Sequence, residues 1–291
     1  MDAQRYIKIK QILWAQRNGT ALVGSKGERG EKAYVQSLDK NFCIPLSEMP
    51  EVKEEFKRGD GKELDTGTGS AKIQAVHSSA ALTCNIFCYW RKNKNYARIT
   101  EALRIPSKEI ESINFEEKLQ IGKDVNRKKF PRDPNMDVFI KYEGGKQKAV
   151  GIECKFSEAY STQGHDGLRK AYLEEESLWT GIPNIRKLAG KICPHDKENK
   201  YLHAAQLIKH ILGLKHFSDG IEKFRLVYLW YDVPFDVGYL HRREIEKFTE
   251  VAAADGIKFQ AITYQEVIIN LSQAEKDNHP DYIRYITSRY L

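Results

Sequence analysis

The sequence lacks several features that would place it in a specialised class of protein. Its longest apolar run, residues 80–90, is well short of the ~20 residues that a membrane-spanning helix needs. Residues 1–6 contain no apolar segment of the kind found in a secretory signal. Five cysteines, an odd number scattered through 291 residues, do not form a disulfide framework. We therefore expect a soluble, cytoplasmic protein.

Two motifs that would identify a cofactor are incomplete. The glycine-rich residues 24–32 lack the Gly-x4-Gly-Lys-Ser/Thr spacing of a phosphate-binding loop, and no strand clearly precedes them. We interpret them as a loop that opens a helix over residues 31–39. Cys84 and Cys88 have a spacing that two zinc thiolates could use, but no second pair follows at the usual spacing and their neighbours are apolar. Buried free thiols are the favoured interpretation.

The composition is that of a globular protein with a modest excess of positive charge. Hydrophobic residues make up 41% and charged residues 30% of the chain, which argues against general disorder. Lys and Arg exceed Asp and Glu by 47 to 40, a net charge of +7 that permits a polyanionic partner. The glycine-rich residues 59–70 separate an N-terminal section from the rest. We predict an N-terminal helical and loop extension over residues 1–74 and a main domain over residues 75–291.

Hydrophobic periodicity predicts alternating helices and strands in the main domain, with a hairpin turn at residues 143–146 between two of the strands. Ser78 and Ser79 are suitable cap residues at the start of a buried helix. The predicted helices cover residues 78–90, 95–104, 201–214 and 241–254, and the predicted strands cover residues 113–119, 137–142, 149–156, 224–231 and 259–264. This order of elements predicts an α/β layer architecture.

The segment most informative about chemistry is the predicted hairpin. Glu153 and Lys155 lie two residues apart on a strand, so their side chains share one face, while Cys154 points to the opposite, apolar face. If the turn has three residues, 144–146, then Asp137 lies opposite Glu153 and the three charged groups cluster. A two-residue turn would pair Asp137 with residue 152 and separate them. Two close carboxylates repel each other unless a cation intervenes, and such hard oxygen ligands suit Mg²⁺.

The hairpin resembles the PD-(D/E)XK nuclease superfamily, which has the restriction-endonuclease-like fold. Glu153, Cys154 and Lys155 match the second half of its motif, and Pro134 precedes Asp137 with two residues between them. Further segments are similar to a bacterial, restriction-endonuclease-like branch, and together they cover about residues 75–270. These segments are residues 78–87, 115–119, 134–137, 151–158, 205–210, 226–231 and 241–266. The resemblance implies a central mixed β-sheet flanked by helices.

The resemblance also implies roles for individual residues. Asp137 and Glu153, with the main-chain carbonyl of Cys154, would hold Mg²⁺, or alternatively Mn²⁺, beside a phosphate oxygen. Lys155 would position or help to deprotonate the attacking water and would offset charge on the phosphate. Glu116 is a candidate for a further metal-site carboxylate, and Gln206 matches a polar position that faces the site in such nucleases.

The function expected from these features is metal-dependent endonucleolytic cleavage of DNA, in restriction or defence. Two alternatives stay open: a catalytically silent nucleic-acid-binding module on the same fold, and a phosphodiesterase acting on RNA or single strands. A homodimer is a further expectation, because cutting both strands of a duplex takes two active sites. A basic loop between the first two strands could clamp the phosphate backbone or be simply solvated. Its residues are Lys123, Arg127, Lys128, Lys129 and Arg132.

Overall fold

A computed structural model describes residues 2–26, 30–67, 69–123, 125–161 and 165–291. Within these ranges the chain forms α-helices, β-strands and short 3-10 turns around one large apolar core. The helices are α1 (Ala3–Arg17), α2 (Pro50–Arg58), α3 (Ser79–Lys92), α4 (Tyr96–Ala102), α5 (Lys170–Glu174), α6 (Pro183–Lys191), α7 (Ala204–Ser218), α8 (Asp236–Ala254), α9 (Tyr264–Glu275) and α10 (Pro280–Tyr290). The strands are β1 (Leu22–Val23), β2 (Tyr34–Val35), β3 (Ile110–Lys118), β4 (Asn135–Tyr142), β5 (Ala149–Lys155), β6 (Phe224–Trp230) and β7 (Lys258–Thr263).

The central sheet has five strands in the order β3-β4-β5-β6-β7. The first three strands form an antiparallel meander, and β6 and β7 continue the sheet parallel to β5. The parallel connections run through helices, as such crossovers require. Helices pack against both faces, and the mixed α/β architecture predicted from the sequence is confirmed. No helix in the described part of the chain is long and apolar enough to cross a bilayer.

The hairpin between β4 and β5 has the register on which the predicted cluster depends. Gly144 and Gly145 both have a positive φ, which glycine adopts without steric cost and which the reversal of the chain uses. Val138 lies opposite Ile152 in the ladder that follows. This is the register that a three-residue turn produces, and it excludes the alternative in which the charged groups separate.

The N-terminal section packs into the same apolar core as the sheet. Phe56 of α2 stacks on Phe115 of β3 with ring centroids 5.7 Å apart. The neighbouring Glu55 accepts two hydrogen bonds from the Arg91 guanidinium, at 2.6 and 2.9 Å, and one from the main-chain N–H of Phe115 at 3.1 Å. Helix α2 is therefore fastened to the strand that carries Glu116.

The helix predicted over residues 31–39 is wrong. Tyr34 and Val35 form β2, which pairs with β1, and a 3-10 turn follows at Leu38–Asn41. The main chain of this segment makes its hydrogen bonds with other segments and not within a helix. The N–H of Ala33 donates to the carbonyl of Val23, and the carbonyl of Ala33 accepts a hydrogen bond from the N–H of Val76. The preceding loop residues 27–29 lie outside the described residues.

Candidate active site

Three neighbouring strands bring the predicted acids together at one end of the sheet. The register of β4 with both of its neighbours places Asp137 between Glu116 on β3 and Glu153 on β5. Glu153 and Lys155 point toward α7, whereas the side chain of Cys154 points to the other face of the sheet. The alternation expected along β5 is therefore present.

The carboxylate of Glu153 is almost completely buried and contacts two basic groups. Its Oε1 lies 2.5 Å from Lys155 Nζ, and its Oε2 lies 2.7 Å from His210 Nε2. Burial by itself would raise the pKa of Glu153, but the charge of Lys155 and the contact with His210 outweigh it and hold the pKa at about 2. Glu153 is therefore ionised at neutral pH and fixed in orientation.

Asp137 has a different electrostatic environment. Its Oδ2 accepts a hydrogen bond of 2.7 Å from the main-chain N–H of Cys154. Burial and the neighbouring Glu153 charge raise the pKa of Asp137 well above its ordinary value, and Lys155 opposes the shift. The main-chain carbonyl of Cys154, on the same stretch of β5, accepts a hydrogen bond of 3.1 Å from the Ser79 hydroxyl.

Helix α7 supports the catalytic lysine candidate. Gln206 Oε1 lies 3.2 Å from Lys155 Nζ and 3.1 Å from His203 Nδ1. Burial would lower the pKa of Lys155, but Glu153 and Asp137 outweigh it and the pKa is raised. The ammonium group is thus held as a cation between the two acids and the amide of Gln206.

Glu116 completes the acidic group through an unusual backbone. Its φ of 55° lies in the left-handed region, and its carboxylate accepts a hydrogen bond from the Asn135 amide. A Cβ on Gly59 would lie 2.2 Å from Glu116 Oε2, so this glycine makes room for the carboxylate. Burial raises the pKa of Glu116 to about 7; the Asn135 amide opposes the shift, while Glu63 and Glu153 add to it.

Two adjoining cavities open beside these residues, and both are lined by Glu63, Glu116 and Asp137. The smaller has a volume of about 370 Å³ and also exposes Cys154 and Lys155. The larger has a volume of about 760 Å³ and is walled by α7 and by the ends of the loops around residues 131–135 and 166–169. Glu116 and Asp137 therefore face open space large enough for part of a nucleotide chain.

The donor atoms fit a hard divalent cation. Burial raises the pKa of Asp137 and the neighbouring Glu153 charge adds to the shift; a divalent cation bound by both carboxylates would relieve the repulsion between them. Among the described residues, no three His, Cys, Asp or Glu side chains are grouped so that they could hold a metal by themselves. The predicted set instead combines the carboxylates of Asp137 and Glu153 with the main-chain oxygen of Cys154.

The basic loop lies only partly beside this cleft. All five of its predicted residues are exposed. Arg132 lines the larger cavity, whereas Lys123 lines a separate hollow. Arg127 pairs with Asp133 at 2.7 Å, and Lys129 approaches Glu174 at 3.5 Å. The structure therefore brings Arg132 to the acids, and their shared role in binding nucleic acid stays a prediction.

Three residues of the site were missed in the sequence. His210 is not among the predicted site residues, yet it contacts Glu153; its position four residues after Gln206, on the same helix face, was the available signal. Ser79 was interpreted as a cap, but Ser78 caps α3 and Ser79 reaches the Cys154 carbonyl. The contact of Asn135 with Glu116 depends on the pairing of β3 with β4 and had no local signal.

The fold and the site together define the class of protein. A five-stranded mixed sheet flanked by helices, with Asp, Glu and Lys side chains clustered on its hairpin, is a restriction-endonuclease-like architecture. The family model of the restriction endonuclease associating with ARP matches residues 8–291, and the chain belongs to this family. Comparison with curated proteins and with solved structures gives no significant match.

Proposed function

We propose that this protein is a Mg²⁺-dependent endonuclease that hydrolyses phosphodiester bonds of duplex DNA in a restriction or defence system. The observation that carries the proposal is the convergence of Asp137, Glu153 and Lys155 on one hairpin, beside an open cleft. A structural ion pair needs no second acid, but Asp137 lies beside Glu153 at an electrostatic cost. Membership of a family described as restriction endonucleases supports DNA as the substrate.

Asp137, Glu153 and the Cys154 carbonyl would hold the metal ion, Mg²⁺ or alternatively Mn²⁺. When bound there, the ion would polarise a phosphate oxygen and lower the pKa of a water. Glu153 is already ionised, and Lys155 and His210 hold its orientation, so it needs no proton loss before it binds a cation. The hydrogen bond from the Cys154 N–H keeps Asp137 facing the same point.

Lys155 would act on the phosphate as a cation. Its ammonium group is held beside the cleft by Glu153 and by Gln206, and its pKa is raised. A fixed positive charge at this position orients the attacking water and stabilises negative charge that develops on the phosphate oxygens. Gln206 contributes by restricting the direction in which the lysine can point.

The substrate must be a polyanion that reaches a recessed site. The net charge of +7 and the exposed basic loop favour such a ligand, because Lys and Arg bound to phosphates release counterions. The described ranges of one chain contain one such cluster, so cleavage of both strands would use two chains, and a homodimer stays a prediction.

The test is digestion of supercoiled plasmid, single-stranded DNA and RNA by the purified protein, with Mg²⁺ and with EDTA. Asp137→Asn is run in parallel because it keeps the side-chain shape and removes the charge. We expect plasmid cleavage that disappears with EDTA and in the variant. Binding of DNA by both proteins without cleavage of any substrate would instead assign the chain to the silent binding modules.

A further inference from the structure

Helix α7 presents one face to the larger cavity, and one residue on that face has no partner. His203, Gln206, Lys209 and His210 all line this cavity. Gln206 contacts Lys155 and His210 contacts Glu153, so both serve the acidic cluster. The side chain of Lys209 makes no hydrogen bond and no ion pair with any residue of the described ranges.

The position of Lys209 is costly for an unpaired cation. The side chain is partly buried, and this burial lowers the pKa of Lys209. The positive charges of Arg169 and Lys155 lower the pKa further, whereas the acids Glu153 and Asp166 oppose the shift. A partly desolvated ammonium group is stabilised when an anion binds it. Because its nearest acids contact other groups or lie beyond ion-pair distance, the anion would have to come from a ligand.

Two arginines face the same cavity from the opposite loops. Arg132 precedes β4 and Arg169 precedes α5, and both are exposed. Arg169 donates a hydrogen bond of 3.1 Å to the Lys129 carbonyl, and it also interacts with Tyr172, whose ring centroid lies 5.8 Å from the guanidinium carbon. A guanidinium carries five donors, so most of its donors stay available for a phosphate.

Two of the acids that line this cavity are paired with other cations. Asp60 pairs with Lys118 at 2.8 Å, and Asp133 pairs with Arg127 at 2.7 Å. Within the described part of the chain, neither Lys209 nor Arg169 nor Arg132 forms an ion pair, so their charges stay available to an incoming anion.

Lys209 lies close to the residue that contacts the catalytic lysine candidate. It is three residues beyond Gln206 on α7, about 4.5 Å along the helix axis, and both residues line the same cavity. With the scissile phosphate beside Lys155, which Gln206 contacts, Lys209 would reach the next phosphate of the same strand.

We propose that Lys209, Arg169 and Arg132 form a subsite that binds the phosphate adjacent to the scissile one, independently of base sequence. The inference rests on the proposed function, because it assigns the neighbouring phosphate of that same substrate. It adds Lys209 and Arg169 to the predicted substrate-binding residues, gives Arg132 of the basic loop a defined ligand, and makes the larger cavity the path of the bound strand.

The test measures binding of two labelled DNA duplexes of unrelated sequence by fluorescence anisotropy, in EDTA and over about 50 to 200 mM salt. Lys209→Met should weaken binding about tenfold at low salt on both duplexes, and should reduce the slope of log affinity against log salt by about 0.9. Lys209→Arg should keep the wild-type slope. Lys187→Met, an exposed lysine of α6 outside the cavity, is the matched control.

A wild-type slope and affinity in Lys209→Met would overturn the subsite. Thermal melting checks that the variant folds, and if it does not, Arg169→Met decides the question because Arg169 is exposed. The proposed function fails separately: wild-type protein that binds duplex DNA but never cleaves it refutes the nuclease and leaves the subsite to be judged by its slope. Wild-type protein that binds no DNA refutes both.

Discussion

The contact between His210 and Glu153 allows a quantitative test of the site. Both side chains are about 1% exposed, and His210 supplies one of the two contacts that Glu153 makes with basic groups. Replacing His210 by Phe keeps an aromatic ring of similar size and leaves a buried carboxylate oxygen without its partner. The loss should be about 1–3 kcal/mol. At about 2 °C for each kcal/mol in a chain of this size, the melting temperature should fall by about 2–6 °C.

The same substitution should reduce DNA cleavage, because Glu153 would lose the group that fixes its orientation. A loss of about 10- to 100-fold is expected from partners that orient metal-ligating residues. His241→Phe is the matched control: His241 is equally buried, but its Nε2 lies 3.0 Å from the Tyr228 hydroxyl and contacts no acid of the site. It should keep wild-type cleavage at neutral pH. His210→Phe protein that melts and cleaves like the wild type would refute the role given to this contact.

Three further predictions follow from other parts of the structure. The backbone at Gly59, with a φ of −64°, accepts Gly59→Ala, but the new Cβ would displace the Glu116 carboxylate. DNA cleavage should therefore fall while the far-UV circular dichroism spectrum stays unchanged. Unchanged cleavage would show that Glu116 does not belong to the site. Arg91→Met should lower the unfolding free energy by about 3–5 kcal/mol in urea titrations, because it leaves Glu55 buried and unpaired, and a cost under about 1 kcal/mol would contradict this. Burial lowers the pKa of His241 to about 3, so below about pH 6.5 the unfolded chain takes up a proton that the folded chain excludes, and the free energy of unfolding should fall toward acid pH. His241→Phe should make the free energy of unfolding depend less on pH between about pH 6.5 and 4. An unchanged pH profile in the variant would contradict this.

The β-hairpin could be predicted from the sequence because its determinants are local. The glycine pair at the turn limits the hairpin to two registers, and the structure has the one with the three-residue turn; the alternation of side chains along β5 groups Glu153 and Lys155 on one face in either case. Asp137 follows from the same register. The order of helices and strands in the main domain could be predicted for a similar reason, since each element carries its own periodicity.

The remaining features depend on contacts that are distant in the sequence. Tyr34 and Val35 form a strand because β1 lies beside them, and no local pattern shows that neighbour. The alternation of side chains along β3 could not show whether Glu116 or Glu117 faces the site. Glu116 faces it because its backbone is left-handed and because Gly59, which has no side chain, leaves room for its carboxylate. Such packing is decided by the assembled fold and leaves little trace in a single segment.

The measurement that tests the central claim most directly is the rate of plasmid cleavage by wild-type protein and by Lys155→Met under identical Mg²⁺ concentrations. Melting curves and DNA binding of the two proteins serve as controls for folding and for substrate affinity. If Lys155 stabilises the charge that develops on the phosphate, the variant should bind DNA and cleave it about 10²- to 10⁴-fold more slowly. Cleavage by the variant within about threefold of the wild-type rate would show that the Asp137, Glu153 and Lys155 cluster is not the catalytic centre.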